Sequence, residues 1–154
     1  MALTPVPVAL RALLDSVPRP TPVETLPLAQ CAWRVLGADL AALRTQPPFA
    51  NSAMDGYAVR ADDLTPGTEL RVLGESAAGR SFGGSIAAGE AVRIFTGAPI
   101  PEGADTILIQ ENADGVGSAA ITVREGAPKG KFIRKAGLDF SEGDQLLAAG
   151  TRLD

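Results

Sequence analysis

Three short stretches of this chain carry residue types that could do chemistry. The first is Pro47-Pro48-Phe49-Ala50-Asn51-Ser52-Ala53-Met54-Asp55-Gly56-Tyr57-Ala58-Val59-Arg60. Its two prolines fix the backbone and remove two N–H donors, so no helix runs through them. Asn51-Ser52 is loop chemistry, because both side chains compete for nearby backbone groups. Asp55-Gly56 reads as a turn in which Gly56 supplies a positive φ, and Tyr57-Ala58-Val59 as the start of a strand. The carboxylate of Asp55 would then stand on a stiff loop, ionised at neutral pH, free to accept hydrogen bonds or to ligate a hard cation. The second stretch is Thr96-Gly97-Ala98-Pro99, delivered by an apolar run from Val92 to Phe95 that Arg93 interrupts. A hydroxyl and bare backbone N–H groups in such a turn can hold an oxyanion. The third holds Lys131, Arg134, Lys135 and Asp139. Cations beside a carboxylate can attract an oxyanion while the carboxylate helps a metal. Each stretch also has a plain structural reading, as an Asx turn, a strand-ending turn and a solvated strand end, and local spacing leaves both readings open.

The elements that must position these groups read as α+β, mainly β with some α. Val6 to Val17 has helical spacing, with Thr4 as cap, Pro5 at the first helical position, and Leu10, Leu13, Leu14 and Val17 along one face. Pro18, Pro20 and Pro22 force an extended segment, and Val23 to Leu26 reads as a short strand. Leu28 to Leu36 reads as a second helix with Leu28, Cys31, Ala32 and Val35 facing inward and Gly37 ending it. Cys31 on that face is a small core residue rather than a nucleophile. Ala38 to Leu43 is an extended connection, and Ala61 to Leu64 a short helical turn. Strands dominate beyond this point: Glu69 to Gly74, Ala91 to Thr96, Thr106 to Glu111, Ala119 to Arg124, Lys131 to Arg134 and Gln145 to Ala148, separated by glycine-rich turns. The stretch from Gly79 to Gly89 lacks an apolar period and reads as a mobile loop.

Composition narrows the chemistry. The chain has 154 residues, 45% of them hydrophobic, with 17 glycines, 12 prolines and 5% aromatics, which fits many short strands over Val, Ile, Leu and Ala cores. Its net charge is −4 with no Lys/Arg-rich block, which argues against a nucleic-acid partner. With no histidine, Ser-His-Asp and Cys-His catalysis and histidine-based metal sites are excluded within this chain. A single cysteine makes neither an internal disulfide nor a thiolate zinc cluster, and points to a reducing, cytoplasmic compartment. No signal peptide is evident, and no apolar run approaches the roughly 18 residues of a membrane span, so no membrane is expected.

Asn51-Ser52-Ala53-Met54-Asp55-Gly56-Tyr57-Ala58 resembles the signature loop of the molybdopterin molybdenumtransferases, the MoeA/gephyrin family. Arg93-Ile94-Phe95-Thr96-Gly97-Ala98-Pro99-Ile100-Pro101-Glu102-Gly103-Ala104-Asp105 resembles a second stretch of the same family, as do Glu24-Thr25-Leu26-Pro27-Leu28 and Ala149-Gly150-Thr151-Arg152-Leu153. The resemblance implies an elongated N-terminal domain from two flanks, 1–44 and 138–154, into which a compact, barrel-like β-rich module, 45–137, is inserted. It implies a larger molybdopterin-binding α/β domain beyond Asp154, so this chain reads as an N-terminal fragment, inactive alone. The implied activity is insertion of molybdate into adenylylated molybdopterin, with Mg2+ required and the adenylate hydrolysed. Asp55, Thr96 and Asp139 are the implied catalytic residues, Asp55 and Asp139 the metal ligands, and Ser52, Gly97, Arg134 and Lys135 the cofactor-binding residues. The family's third stretch is commonly Arg-Arg-Gly-Glu-Asp. Gly137, Asp139 and Arg134 fit it, whereas Lys135, Ala136 and Leu138 depart from it. The family works as a homodimer, with this module facing the molybdopterin domain of the other subunit, and a molybdopterin adenylyltransferase-type enzyme acts upstream. Relatives also serve as scaffolds for membrane receptors, so a non-enzymatic interaction module is the alternative.

Overall fold

The computed structural model describes residues 4–17 and 21–154. Its contacts divide the chain into two units, Met1–Leu40 with Leu147–Asp154, and Ala41–Leu146.

In the first unit, helix α1 spans Val6–Asp15. Pro5 rather than Thr4 occupies the cap, Pro7 sits in the first turn, and no side chain caps the helix. None of its residues is buried; Leu10 and Leu13 are 55% and 68% exposed, so the apolar spacing marks a face that this unit leaves open. The spacing of Leu28, Cys31, Ala32 and Val35 predicts a helix, but the chain makes only a single 3-10 turn, Leu28–Gln30. Trp33 then takes a left-handed φ of 65°, and Val35 bridges Arg152. Trp33 and Leu36 donate their amides to Leu153 and Thr151, and Leu153 donates back to Arg34. Partners more than a hundred positions away have taken the backbone groups that a helix would use, and helical periodicity carries no trace of such pairing. Cys31 is half-buried, its thiol 3.4 Å from the Pro27 carbonyl. Residues 23–26 form no strand ladder.

The strands, in order, are β1 (Leu40–Ala41), β2 (Asn51–Ser52), β3 (Gly56–Val59), β4 (Glu69–Ser76), β5 (Glu90–Ile94), β6 (Thr106–Ile109), β7 (Ala113–Asp114), β8 (Ala120–Val123), β9 (Ile133–Arg134) and β10 (Gln145–Leu147). Six of them make one sheet ordered β6-β3-β5-β4-β8-β7, antiparallel except for β4 against β5. The edge strands β6 and β7 are joined by the single turn Gln110–Asn112, which nearly closes the sheet into a barrel-like module. Two short pairs complete the topology, β1 with β10 and β2 with β9.

Strand β3 shows why the module holds together. Side chains alternate faces along a strand. Tyr57 and Val59 pack with Leu70, Leu108, Ile121 and Val123 in one cluster. Ala58, between them, packs with Ile94, Ala98 and Ile107 in a second. With both faces covered and β5 and β6 on its two sides, β3 is an interior strand, and it begins one residue after Asp55. The 79–89 stretch, which reads as mobile, is anchored: Ala77 and Arg80 exchange backbone hydrogen bonds of 2.9 Å, Ser85 bridges Glu102, and Ile86 is buried.

Candidate functional site

Gly56 does not do what an Asp-Gly pair suggests. It is absent from the positive-φ residues and forms the first position of β3, opposite Ile94 on one side and Ile109 on the other. A Cβ there would lie 2.1 Å from the Leu108 carbonyl oxygen and 2.9 Å from Ile109 Cα. Glycine is needed because the neighbouring strand runs too close for any side chain, and that close approach fixes where Asp55 leaves the sheet.

Asp55 then turns towards Thr96. Its Oδ1 accepts both the Thr96 amide and the Thr96 hydroxyl, each at 2.8 Å. The amide bond, followed by the hydroxyl bond, holds the Asp55 carboxyl below its ordinary value; partial desolvation opposes this and the charge of Arg93 adds to it. Oδ2 has no partner among the described residues and remains available to a ligand. The amides of the 96–98 turn are all engaged within the chain: Thr96 to Asp55, Gly97 to the Ser52 carbonyl at 2.8 Å, and Ala98 to the Phe95 carbonyl at 2.9 Å. Gly97, at φ +83°, lets this turn close, and the Thr96 side chain stays exposed.

Ser52 is the hub of the arrangement. It is fully buried, and its hydroxyl donates to the Met54 carbonyl at 2.6 Å, closing the loop one residue before Asp55. Its amide and carbonyl both bond to the 97–98 turn. On its other side β2 pairs with β9, Asn51 opposite Arg134 and Ser52 opposite Ile133. Arg134 Nη2 reaches both oxygens of Asp139, at 3.0 and 3.2 Å. The Asp139 segment is itself tied down, with Gly137 donating to the Pro47 carbonyl and Asp139 to that of Gln46. One two-residue strand thus links the Asp55–Thr96 pair to the Arg134–Asp139 pair. The latter is half-exposed on both sides, so it adds little to stability and stays accessible to an anion or a metal. Lys135 is exposed and forms no ion pair among the described residues.

No group of three or more His, Cys, Asp or Glu side chains converges among the described residues. A metal held here would take one or two carboxylate oxygens from this chain and the rest from substrate and water, which is the usual habit of Mg2+. The free Oδ2 of Asp55 suits that donor set.

Two residues matter that lie at the ends of the second matched stretch but to which the sequence alone assigns no role. Arg93 spans Gly56 and Gln110 with its guanidinium. Asp105 accepts the Ala61 amide at 2.7 Å and the Lys129 ammonium at 3.1 Å, joining the end of β3 to the 128–131 loop. Burial pushes the Asp105 carboxyl up, but the Ala61 amide, Lys129 and Thr106 together bring it below its ordinary value. Alternation gives a hint of Arg93, which falls on the same side of the chain as Phe95, one residue past the end of β5; the Asp105 partners are visible only in three dimensions.

The chain belongs to the MoeA N-terminal region family (domain I and II), whose model matches residues 4–154. It is 40% identical over 141 residues to a molybdopterin molybdenumtransferase of Haemophilus influenzae, covering 92% of this chain and 35% of that one. It is 38% identical to the molybdopterin molybdenumtransferase of Synechococcus elongatus, covering 94% of this chain and 38% of that one. The crystal structure of the molybdopterin biosynthesis moeA protein from Pyrococcus horikoshii superposes with a TM-score of 0.87 at 34% identity, over 99% of this chain and 41% of that one. The chain therefore spans about 35–41% of the length of these relatives. Among the described residues no helix is long and apolar enough to cross a membrane.

Proposed function

We propose that this chain is the N-terminal part of a cytoplasmic molybdopterin molybdenumtransferase that, as a full-length homodimer, inserts molybdate into adenylylated molybdopterin supplied by an upstream adenylyltransferase. The observation that carries the reading is the β2 link, which sets the Asp55–Thr96 pair and the Arg134–Asp139 pair on its two sides within a family member. In this reading Thr96 holds Asp55 ionised and aimed, so that Oδ2 faces a metal or the attacking water. Asp139 contributes the second carboxylate, released from Arg134 as the guanidinium turns to a substrate oxyanion. Lys135 adds an exposed cation four positions before Asp139 in the chain. Ser52 and Gly97 shape the wall that the pterin substrate meets, through the backbone bonds between them. When bound, Mg2+ would neutralise charge on the phosphate and molybdate oxygens.

Asp55→Asn in the full-length protein is the test. It keeps the shape and removes the charge, so molybdenum insertion should fall at least about tenfold, about 1.4 kcal/mol of transition-state stabilisation. Stability should change little, because the carboxylate is at the surface of the module. Unchanged turnover at limiting Mg2+ would return Asp55 to a structural turn.

A further inference from the structure

The geometry points to Arg93 as the positioning residue of the Asp55–Thr96 pair. Arg93 lies in β5, directly opposite Tyr57 of β3. Its Nη1 donates to the Gly56 carbonyl at 3.3 Å and its Nη2 to Gln110 Oε1 at 2.7 Å. Gln110 in turn donates its amide to the Asp55 carbonyl at 3.2 Å. The guanidinium therefore reaches from β5 across β3 to the residue after β6, at the place where Asp55 leaves the sheet. Directly at the Gly56 carbonyl, and through Gln110 at the Asp55 carbonyl, it straps the two successive peptides that follow Asp55.

The other member of the pair is held by the same group. The guanidinium carbon sits 4.9 Å from the Phe95 ring centroid and 5.1 Å from that of Tyr57. Phe95 precedes Thr96, so packing of its ring on Arg93 sets the direction in which the Thr96 amide and hydroxyl point. One planar cation thus fixes the acceptor from the Gly56 side and the donors from the Phe95 side. Only a planar fork that both hydrogen-bonds at two points and stacks on rings can do this; a lysine ammonium keeps the charge and loses both features.

Arg93 also lines a cavity of about 450 Å³ with Tyr57, Val72, Glu75, Phe95 and Ser118. A ligand-gripping role there fits the geometry less well. Two of its N–H groups and its contacts with both rings are already engaged inside the chain.

The inference rests on the proposed function for its catalytic consequence, but not for its geometry, and the experiment separates the two. In this chain, the Thr96 amide proton should resonate downfield and exchange slowly, as a donor to a carboxylate does. Arg93→Lys should move it upfield and cut its protection at least about tenfold, while the amides of β4 and β8 keep theirs. Gln110→Leu removes only one acceptor of the strap and should produce a smaller change in the same direction, which keeps the inference testable if Arg93→Lys folds poorly. In the full-length protein, Arg93→Lys should lower kcat for molybdenum insertion about tenfold to a hundredfold with KM changed less than about threefold, the pattern of misplaced groups rather than lost binding. An unmoved Thr96 amide in both variants overturns the positioning role, whatever the reaction proves to be. A lost Thr96 hydrogen bond with unchanged kcat overturns its importance to catalysis. If the wild-type full-length protein inserts no molybdenum, the function fails while the amide measurement still decides the geometry.

Discussion

Gly56→Ala should be among the most damaging single-methyl changes in the module. The added Cβ would lie 2.1 Å from the Leu108 carbonyl oxygen, a backbone atom that no side-chain rotation can move. Ordinary contact distances are about 3.5 Å, so β3 and β6 must separate by more than about 1 Å at this point. Overpacking of that kind costs about 1–3 kcal/mol. The displacement also strains the ladder at the Gly56–Ile109 and Tyr57–Leu108 pairs, where each backbone hydrogen bond contributes about 0.5–1.5 kcal/mol. Together these give about 2–5 kcal/mol, a large share of the roughly 5–15 kcal/mol that stabilises a domain. Equilibrium urea unfolding of this chain, followed by far-UV circular dichroism, measures it. The control is Gly83→Ala: Gly83 has no atom within 4 Å of a built Cβ and no positive φ, so alanine there should be neutral or slightly stabilising. A Gly56→Ala variant within about 1 kcal/mol of wild type would mean that the strands give way easily, and the explanation for the glycine would be wrong.

Three further outcomes follow from the hydrogen bonds. Asp105→Ala should destabilise the module by about 1–3 kcal/mol, since it strips the Ala61 amide and the Lys129 ammonium of a carboxylate whose side chain is only 29% exposed; urea unfolding checks it. Because the folded Asp105 carboxyl is held below its ordinary value, its contribution is present above the unfolded pKa and is lost as pH falls through the folded one, so the gap between wild type and Asp105→Ala should narrow in acid and persist at neutral pH. Thr96→Val keeps the amide bond and removes the hydroxyl bond, so the Asp55 carboxyl should titrate nearer its ordinary value, read by carboxyl carbon NMR; no change would show that the hydroxyl bond is not made in solution. Arg134→Ala should alter stability by less than about 1 kcal/mol, because its ion pair is half-exposed, and a larger loss in urea unfolding would make that pair structural instead.

The β-rich character of the module was legible from its short apolar runs between glycines. What the sequence could not show is that Asp55 and Thr96 are each other's partners, 41 positions apart. Nor could it show that the amides of the 96–98 turn are closed off by Ser52 and Phe95 rather than free. Gly56 was legible as a glycine position for the wrong reason: the Asp-Gly pattern suggests a backbone angle, whereas a neighbouring strand's carbonyl sets the requirement. The Leu28–Leu36 spacing misleads because the 33–36 backbone bonds to residues 151 and 153, and pairing at that separation leaves no periodic mark. Arg93 looks like a flaw in an apolar strand until Tyr57, Phe95 and Gln110 are seen around it.

We propose that the Asp55–Thr96 and Arg134–Asp139 pairs form one wall of a divided site whose remaining walls a full-length protein of this family would supply. Holding reactants in place supplies most of the rate in such a reaction, and one wall cannot do it. The direct measurement is to incubate this chain with adenylylated molybdopterin, molybdate and Mg2+, and to assay molybdenum cofactor before and after adding a separately expressed C-terminal domain. The account predicts a folded chain that forms no cofactor alone and activity that appears only in the mixture. Cofactor formed by this chain by itself would contradict it.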